Sequence, residues 1–265
     1  MIRMAREYIP LSVPNLKGNE LDYVIDAVKT EWVSSGGSYI NDFEAKIAEY
    51  VGVEEAVAVQ SGTAALHLSL MEAGVEYGEE VIAQTLTFIE AVNPIRYCGA
   101  EAVFMDCDDS LCMDPVKLEK FLRVECDFED GVVINKETDK RIRALVVVHV
   151  FGNLADMEAI MKLAEEFDLK VIEDATEALG SVYREGAYAG KTAGTIGHFG
   201  AYSFNGNKIM TTGGGGMIVA RDLDELRHMR YLSTQAKDNP TNFIHGDVGY
   251  NYRMSNVLAG IGRGQ

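Results

Sequence analysis

Tryptophan occurs once, proline five times and cysteine four times in these 265 residues, and positive charge is scarce, with 24 Lys and Arg against 41 Asp and Glu. The net charge of −17 argues against a nucleic-acid groove or an anionic membrane surface as partner, since both need clustered Lys and Arg. It leaves open a small anionic ligand held in a local pocket. The cysteines, Cys98, Cys107, Cys112 and Cys126, form no CxxC pair and have no histidine at a zinc-finger offset, so no metal site is expected. A chain of this size gains little from disulfides, and the four read as reduced thiols of a cytoplasmic protein. No apolar run approaches the roughly 20 residues of a membrane span. The N-terminal MIRMAREYIP lacks the apolar core of a signal peptide. Repeats and low-complexity tracts are lacking too, apart from the run Gly213 to Gly216.

What is present is a 47% hydrophobic chain, enough for one large core with room for a small appendage. Helical spacing marks Asn19 to Thr30 and Asn41 to Tyr50. In AVAVQSGTAALHLSLMEAG, Ala56 to Val59 suits a buried strand, Ser61-Gly62-Thr63 a turn and Ala64 to Ala73 a helix. The unit recurs with Glu80 to Gln84 and a helix beginning near Phe88, and then with a strand over Ala102 to Asp106. Ala144 to Val150 leads into a helix over Asp156 to Phe167, Leu169 to Glu173 follows, and Ala201 to Phe204 and Met217 to Ala220 flank the glycine run. Alternating strands and helices predict an α/β fold with a mostly parallel central sheet covered by helices on both faces. Ligands of such sheets sit beyond the carboxyl ends of the strands. Ser61, Asp174, Glu177 and Ser203 all fall at or just after such ends.

Three segments could carry chemistry. Small residues in SGTAALHLSL at a strand-to-helix turn expose backbone amides to an anion, a phosphate above all; an ordinary capped turn explains them equally well. Asp174 in VIEDATEALG follows a buried strand, and a buried carboxylate needs a cation or donors. A protonated pyridine nitrogen is one such partner, and a helix N-cap is the plain alternative. Glu177, one helical turn on, would face the same way. Lys208 is the only charged residue between Lys191 and Arg221, with His198 counted neutral. Among Gly, Asn and Thr after a buried strand, it is a candidate amine nucleophile, or else an exposed loop lysine. Ser203 could donate to a phosphate. Phe88 could stack on a flat ring or pack in the core, and His149 reads as a satisfied core histidine.

Taken together, PLSVPNLKGNELDYVIDAVKTEWVSSGG, SGTAALHLSL, TLTFIEAVNPI, VIEDATEALG, YSFNGNKIMTTGGGGM and GYNYRMSN resemble the DegT/DnrJ/EryC1/StrS family of nucleotide-sugar aminotransferases, in the family's order and over nearly the whole chain. The resemblance implies the fold type I architecture of pyridoxal-phosphate-dependent transferases. It implies that Lys208 forms the Schiff base with pyridoxal 5'-phosphate and shuttles a proton, that Asp174 holds the pyridine nitrogen and that Phe88 stacks on the ring. Gly62, Thr63 and Ser203 would bind the phosphate, and Asn251 would reach the cofactor phosphate of a partner in a homodimer with shared sites. Glu177 stands near the cofactor's 3-oxygen, where the family often has Gln or His. Dehydratases of the family carry histidine in place of the lysine, so lysine here favours transamination. The implied reaction moves an amino group from glutamate to a nucleotide-linked 4-keto-6-deoxy sugar in polysaccharide biosynthesis. The alternative is a non-catalytic or regulatory binding protein on the same fold; the presence of both Asp174 and Lys208 weighs against it. The chain stops inside an apolar-periodic helix. The expected organisation is therefore a large cofactor domain over residues 1–250 and the start of a truncated C-terminal domain over 251–265.

Overall fold

Five consecutive buried residues in one short run cannot form the half-wet strand of an open sheet; they need cover on both faces. Glu80–Gln84 has that character in the computed structural model, and Lys140–Val148 ends in five such residues. Residues 8–10, 12–239 and 241–265 are described. Met1 to Glu7 of the N-terminal reading, and Leu11 of the first matched stretch, lie outside them.

In chain order the elements are α1 (Glu20–Lys29), α2 (Ser38–Val51), β1 (Val57–Val59), α3 (Gly62–Glu72), β2 (Glu80–Gln84), α4 (Asn93–Tyr97), β3 (Glu101–Met105) and α5 (Pro115–Lys120). Then come β4 (Cys126–Glu129), β5 (Val132–Asn135), β6 (Lys140–Val148), α6 (Met157–Glu166), β7 (Lys170–Asp174), β8 (Phe199–Ser203), β9 (Gly216–Ala220) and α7 (Leu223–Ser233). The small strands β10 (Lys237–Asn239) and β11 (Ile244–His245) pair with each other, and α8 (Asn256–Gly264) follows.

Among the described residues the main sheet has nine strands in the order β1-β9-β8-β7-β6-β2-β3, with the β4–β5 hairpin attached to β6. The run β3, β2, β6, β7, β8 is parallel, while β9 is antiparallel to both β8 and β1. The sheet is thus mixed and largely parallel. Successive residues alternate faces. Val81, Ala83 and Val146 pack with α3, α4 and α7, whereas Ile82, Leu145 and Val147 pack with α5 and α6. Further along the second face, Ala58, Tyr202 and Met217 pack with Ile40 and Phe43 of α2 and Ala259 of α8. Gly262 of α8 lies so close to α2 that a Cβ there would stand 2.7 Å from the Phe43 ring.

Three local readings change. The stretch after Phe88 begins as a single 3-10 turn, Ile89–Ala91, before α4. No helix follows Asp174: residues 175–180 form consecutive turns, so Glu177 is carried by a loop. The β4–β5 hairpin was not anticipated. Its turn residues Asp130 and Gly131 both have positive φ, 52° and 76°, the conformation a tight two-residue hairpin turn demands. Among the described residues no helix is long and apolar enough to cross a membrane.

Candidate active site

Because β1, β7 and β8 point the same way, their last residues open onto one edge of the sheet. A cavity of about 280 Å³ lies there, walled by Ser61, Gly62, Phe88, Glu177, Ser203 and Lys208. A larger hollow between α1, α2 and α8, about 580 Å³, is lined mainly by apolar and tyrosine side chains and contains none of the expected site residues.

One wall of the smaller cavity is built from the start of α3. The first amides of a helix have no acceptor within it. Ser61 serves two of them: its hydroxyl accepts from the Ala64 amide at 3.0 Å and its carbonyl from the Ala65 amide at 3.1 Å. The Gly62 and Thr63 amides remain for an anion, at the positive end of the helix dipole. Ser61 is therefore the helix cap, and the turn is also an anion cradle. Glycine is required here by proximity. A Cβ on Gly62 would stand 2.9 Å from Ser203 Cβ, and one on Gly216 would stand 2.4 Å from the Ser61 carbonyl oxygen. The glycine run thus lets β9 begin directly against the cradle. The Ser203 hydroxyl faces it with a single long contact, accepting from the Asn205 amide at 3.4 Å.

Charge lies close by, with Glu177 and Lys208 in the cavity wall and Asp174 buried within range of Lys208. Asp174, at the end of β7, is only 4% exposed, and its Oδ1 accepts from the Thr176 amide at 3.1 Å. Burial pushes this carboxyl above the usual carboxylate range, against the pull of Thr176 and Lys208. Behind it His149 is fully buried, with Nε2 2.8 Å from the Glu173 carboxylate. Burial disfavours charge on this ring, but Cys112 and Glu173 outweigh it and raise its pKa to about 9; the hydrogen-bond geometry points the other way. The Ala155 amide, which can only donate, points at Nδ1 from 3.2 Å, and so selects the neutral ring with its proton on Nε2. His149 is the satisfied core histidine that the sequence suggested. Lys208 sits in the loop between β8 and β9 with its side chain 13% exposed, its Nζ 3.8 Å from Glu177 Oε1.

Gly62, Phe88, Glu177, Ser203 and Lys208 therefore share one cavity, with Thr63 beside Gly62 and Asp174 buried within range of the lysine charge. Phe88 is 64% exposed, which removes core packing as its role. Asn251 is apart: exposed, bridged to Thr234 and accepting from Gln235 Nε2 at 3.1 Å. Its segment is tied to the end of β1, where the Gln60 amide donates to the Tyr252 carbonyl at 2.8 Å. Gln60, Glu90, Asn205 and Asn207 also line the cavity and were not singled out from sequence. The two asparagines, bonded to each other at 2.8 Å, stand in the SFNGNK stretch that drew attention only to its lysine.

An amide-and-hydroxyl cradle for a dianion, a buried carboxylate for a protonated ring nitrogen, and a lone amine form a donor set that fits pyridoxal phosphate. The DegT/DnrJ/EryC1/StrS aminotransferase family model matches residues 14–265. The chain belongs to this family. It is 41% identical over 97% of its length to EpsN of Bacillus subtilis (strain 168), a protein named provisionally as a pyridoxal phosphate-dependent aminotransferase, and spans 63% of that protein. It is also 41% identical, over 97% of its length, to a GDP-perosamine synthase of Caulobacter vibrioides, of which it spans 64%. An aminotransferase structure from Psychrobacter cryohalolentis superimposes with a TM-score of 0.81 at 31% identity, over 97% of this chain and 62% of that one. The fold of this family member is accordingly the type I architecture of pyridoxal-phosphate transferases.

Proposed function

We propose that the chain is the cofactor-binding part of a pyridoxal-phosphate-dependent aminotransferase that moves an amino group from glutamate to a nucleotide-linked 4-keto-6-deoxy sugar. The observation that carries the reading is Lys208: among the described residues the only Lys or Arg lining the cavity, 13% exposed and within charge range of a buried aspartate. When bound, the cofactor supplies an electron sink for the carbon that gains or loses the amino group.

The chain's own residues supply the rest. The Gly62 and Thr63 amides and the Ser203 hydroxyl hold the phosphate. Asp174 accepts from the protonated ring nitrogen, which gives this costly carboxylate its cation. Phe88, exposed at the cavity wall, stacks on the ring. Lys208 Nζ attaches the cofactor and then carries a proton to and from the reacting carbon. Asn251, exposed and outside the lining of its own cavity, serves a second copy's cofactor in a homodimer. The names of the relatives support the sugar assignment, as does lysine at the position where the family's dehydratases have histidine.

The test is an assay of the protein with glutamate against a panel of UDP- and GDP-linked 4-keto-6-deoxyhexoses. The proposal expects 2-oxoglutarate and amino-sugar formed in equal amounts with at least one of them. Binding of the cofactor with no conversion to its amine form by glutamate would favour a non-catalytic binding protein instead.

A further inference from the structure

Glu177 holds two partners at once. Its Oε1 stands 3.8 Å from Lys208 Nζ, and its Oε2 accepts the Phe151 amide at 2.9 Å. Phe151 closes the turn that ends β6, and its backbone is left-handed, with φ 55° and ψ 22°. A bulky residue rarely adopts that region, and when it does the surroundings must hold it. The ring does not, since Phe151 is 74% exposed. Backbone contacts hold the neighbours. Gly152 is bound through its carbonyl to the Ser181 hydroxyl at 3.0 Å, and the His149 amide donates to the Asp174 carbonyl at 3.1 Å. The Phe151 amide itself depends on the Glu177 carboxylate.

We propose that Glu177 is a positioning residue: one carboxylate fixes the strained turn after β6 and the Lys208 amine in a single arrangement, and so sets where Phe151 stands beside the cavity. A neutral acceptor would serve the turn, where hydrogen bonding rather than charge is the essential part, whereas the 3.8 Å approach to Lys208 is a charge contact. The consequence for catalysis rests on reading Lys208 as the reacting amine. The consequence for the turn does not.

The two parts are separated with Glu177→Gln, which retains an acceptor, and Glu177→Ala, which has none. Hydrogen exchange of the Phe151 amide is followed in the cofactor-free chain. The glutamate half-reaction is followed in the cofactor-loaded protein, with borohydride labelling to locate the cofactor. Loss of one charge-assisted hydrogen bond corresponds to about tenfold or more in an equilibrium. The alanine variant should therefore exchange the Phe151 amide at least about tenfold faster and run the half-reaction slower by a similar factor. The glutamine variant should restore the exchange and most of the rate, with KM for glutamate unchanged. Unchanged exchange in the alanine variant overturns the proposal. So does a glutamine variant as slow as alanine, because charge alone would then explain Glu177. A borohydride adduct on another lysine overturns the catalytic half even if exchange supports the turn.

Discussion

Replacing Asp174 by asparagine should make the cofactor-free protein more stable and the cofactor weaker. The carboxyl is 4% exposed, and its burial outweighs the pull of Thr176 and Lys208, so it sits above its ordinary value of 3.8. As pH rises past that value the unfolded chain ionises first, while the folded chain keeps its proton. The unfolded state therefore binds fewer protons, and folding stability falls with rising pH until the buried group ionises too. Asparagine keeps an acceptor for the Thr176 amide and removes the charge. Asparagine therefore takes away a cost that grows with pH, and each kcal/mol so gained shifts the melting temperature of a chain this size by about 2–4 °C. Thermal scans of cofactor-free protein at pH 5 and pH 8 should show the variant melting higher, with the larger gain at pH 8. Loss of a charge-assisted bond to the ring nitrogen should weaken pyridoxal phosphate by about tenfold or more in fluorescence titration. A variant that melts lower at pH 8 and binds the cofactor as tightly as the native chain would refute this reasoning.

Two further substitutions test the frame around the site. Gly216→Ala places a Cβ 2.4 Å from the Ser61 carbonyl oxygen and 2.8 Å from the Gly62 nitrogen. Both are backbone atoms, so the cradle must open: an unfolding titration should show a loss of about 1–3 kcal/mol, with phosphate affinity falling alongside. Glu44→Ala removes the buried carboxylate that accepts from Arg230 at 2.7 Å, from Arg253 and from the Ala58 amide at 2.7 Å. Arg253, itself 8% exposed, is left without its anion, and chemical denaturation should register about 3–5 kcal/mol of destabilisation.

Much of the site could be read before the fold, for identifiable reasons. Lys208 stood out because the buried strands β8 and β9 on either side of its loop carry no charge, and Asp174 because an acid after a run of buried apolar residues needs a partner. The strand runs were legible where both faces are covered, as in β2 and β6. Glu177 was placed on a helix because its spacing from Asp174 equals one helical turn, but spacing cannot tell a helix from successive turns that end on Gly180 at φ 89°. The exposure of Phe88 was likewise invisible, since an aromatic beside a turn suits a core or a pocket wall. The β4–β5 hairpin had its Asp130-Gly131 signal, yet CDFE and VVIN offer too few alternating apolar residues to announce strands. The close approach of Gly216 to Ser61 joins residues far apart in the chain, and no local pattern encodes it.

The central claim is that Lys208 is the amine that holds the cofactor. It is tested by incubating the protein with pyridoxal phosphate, reducing with borohydride and mapping the adduct by peptide mass spectrometry. The account predicts one modified lysine, Lys208, with a Lys208→Ala variant that folds normally and stays unlabelled. An adduct on a different lysine, or labelling that survives in Lys208→Ala, would contradict it.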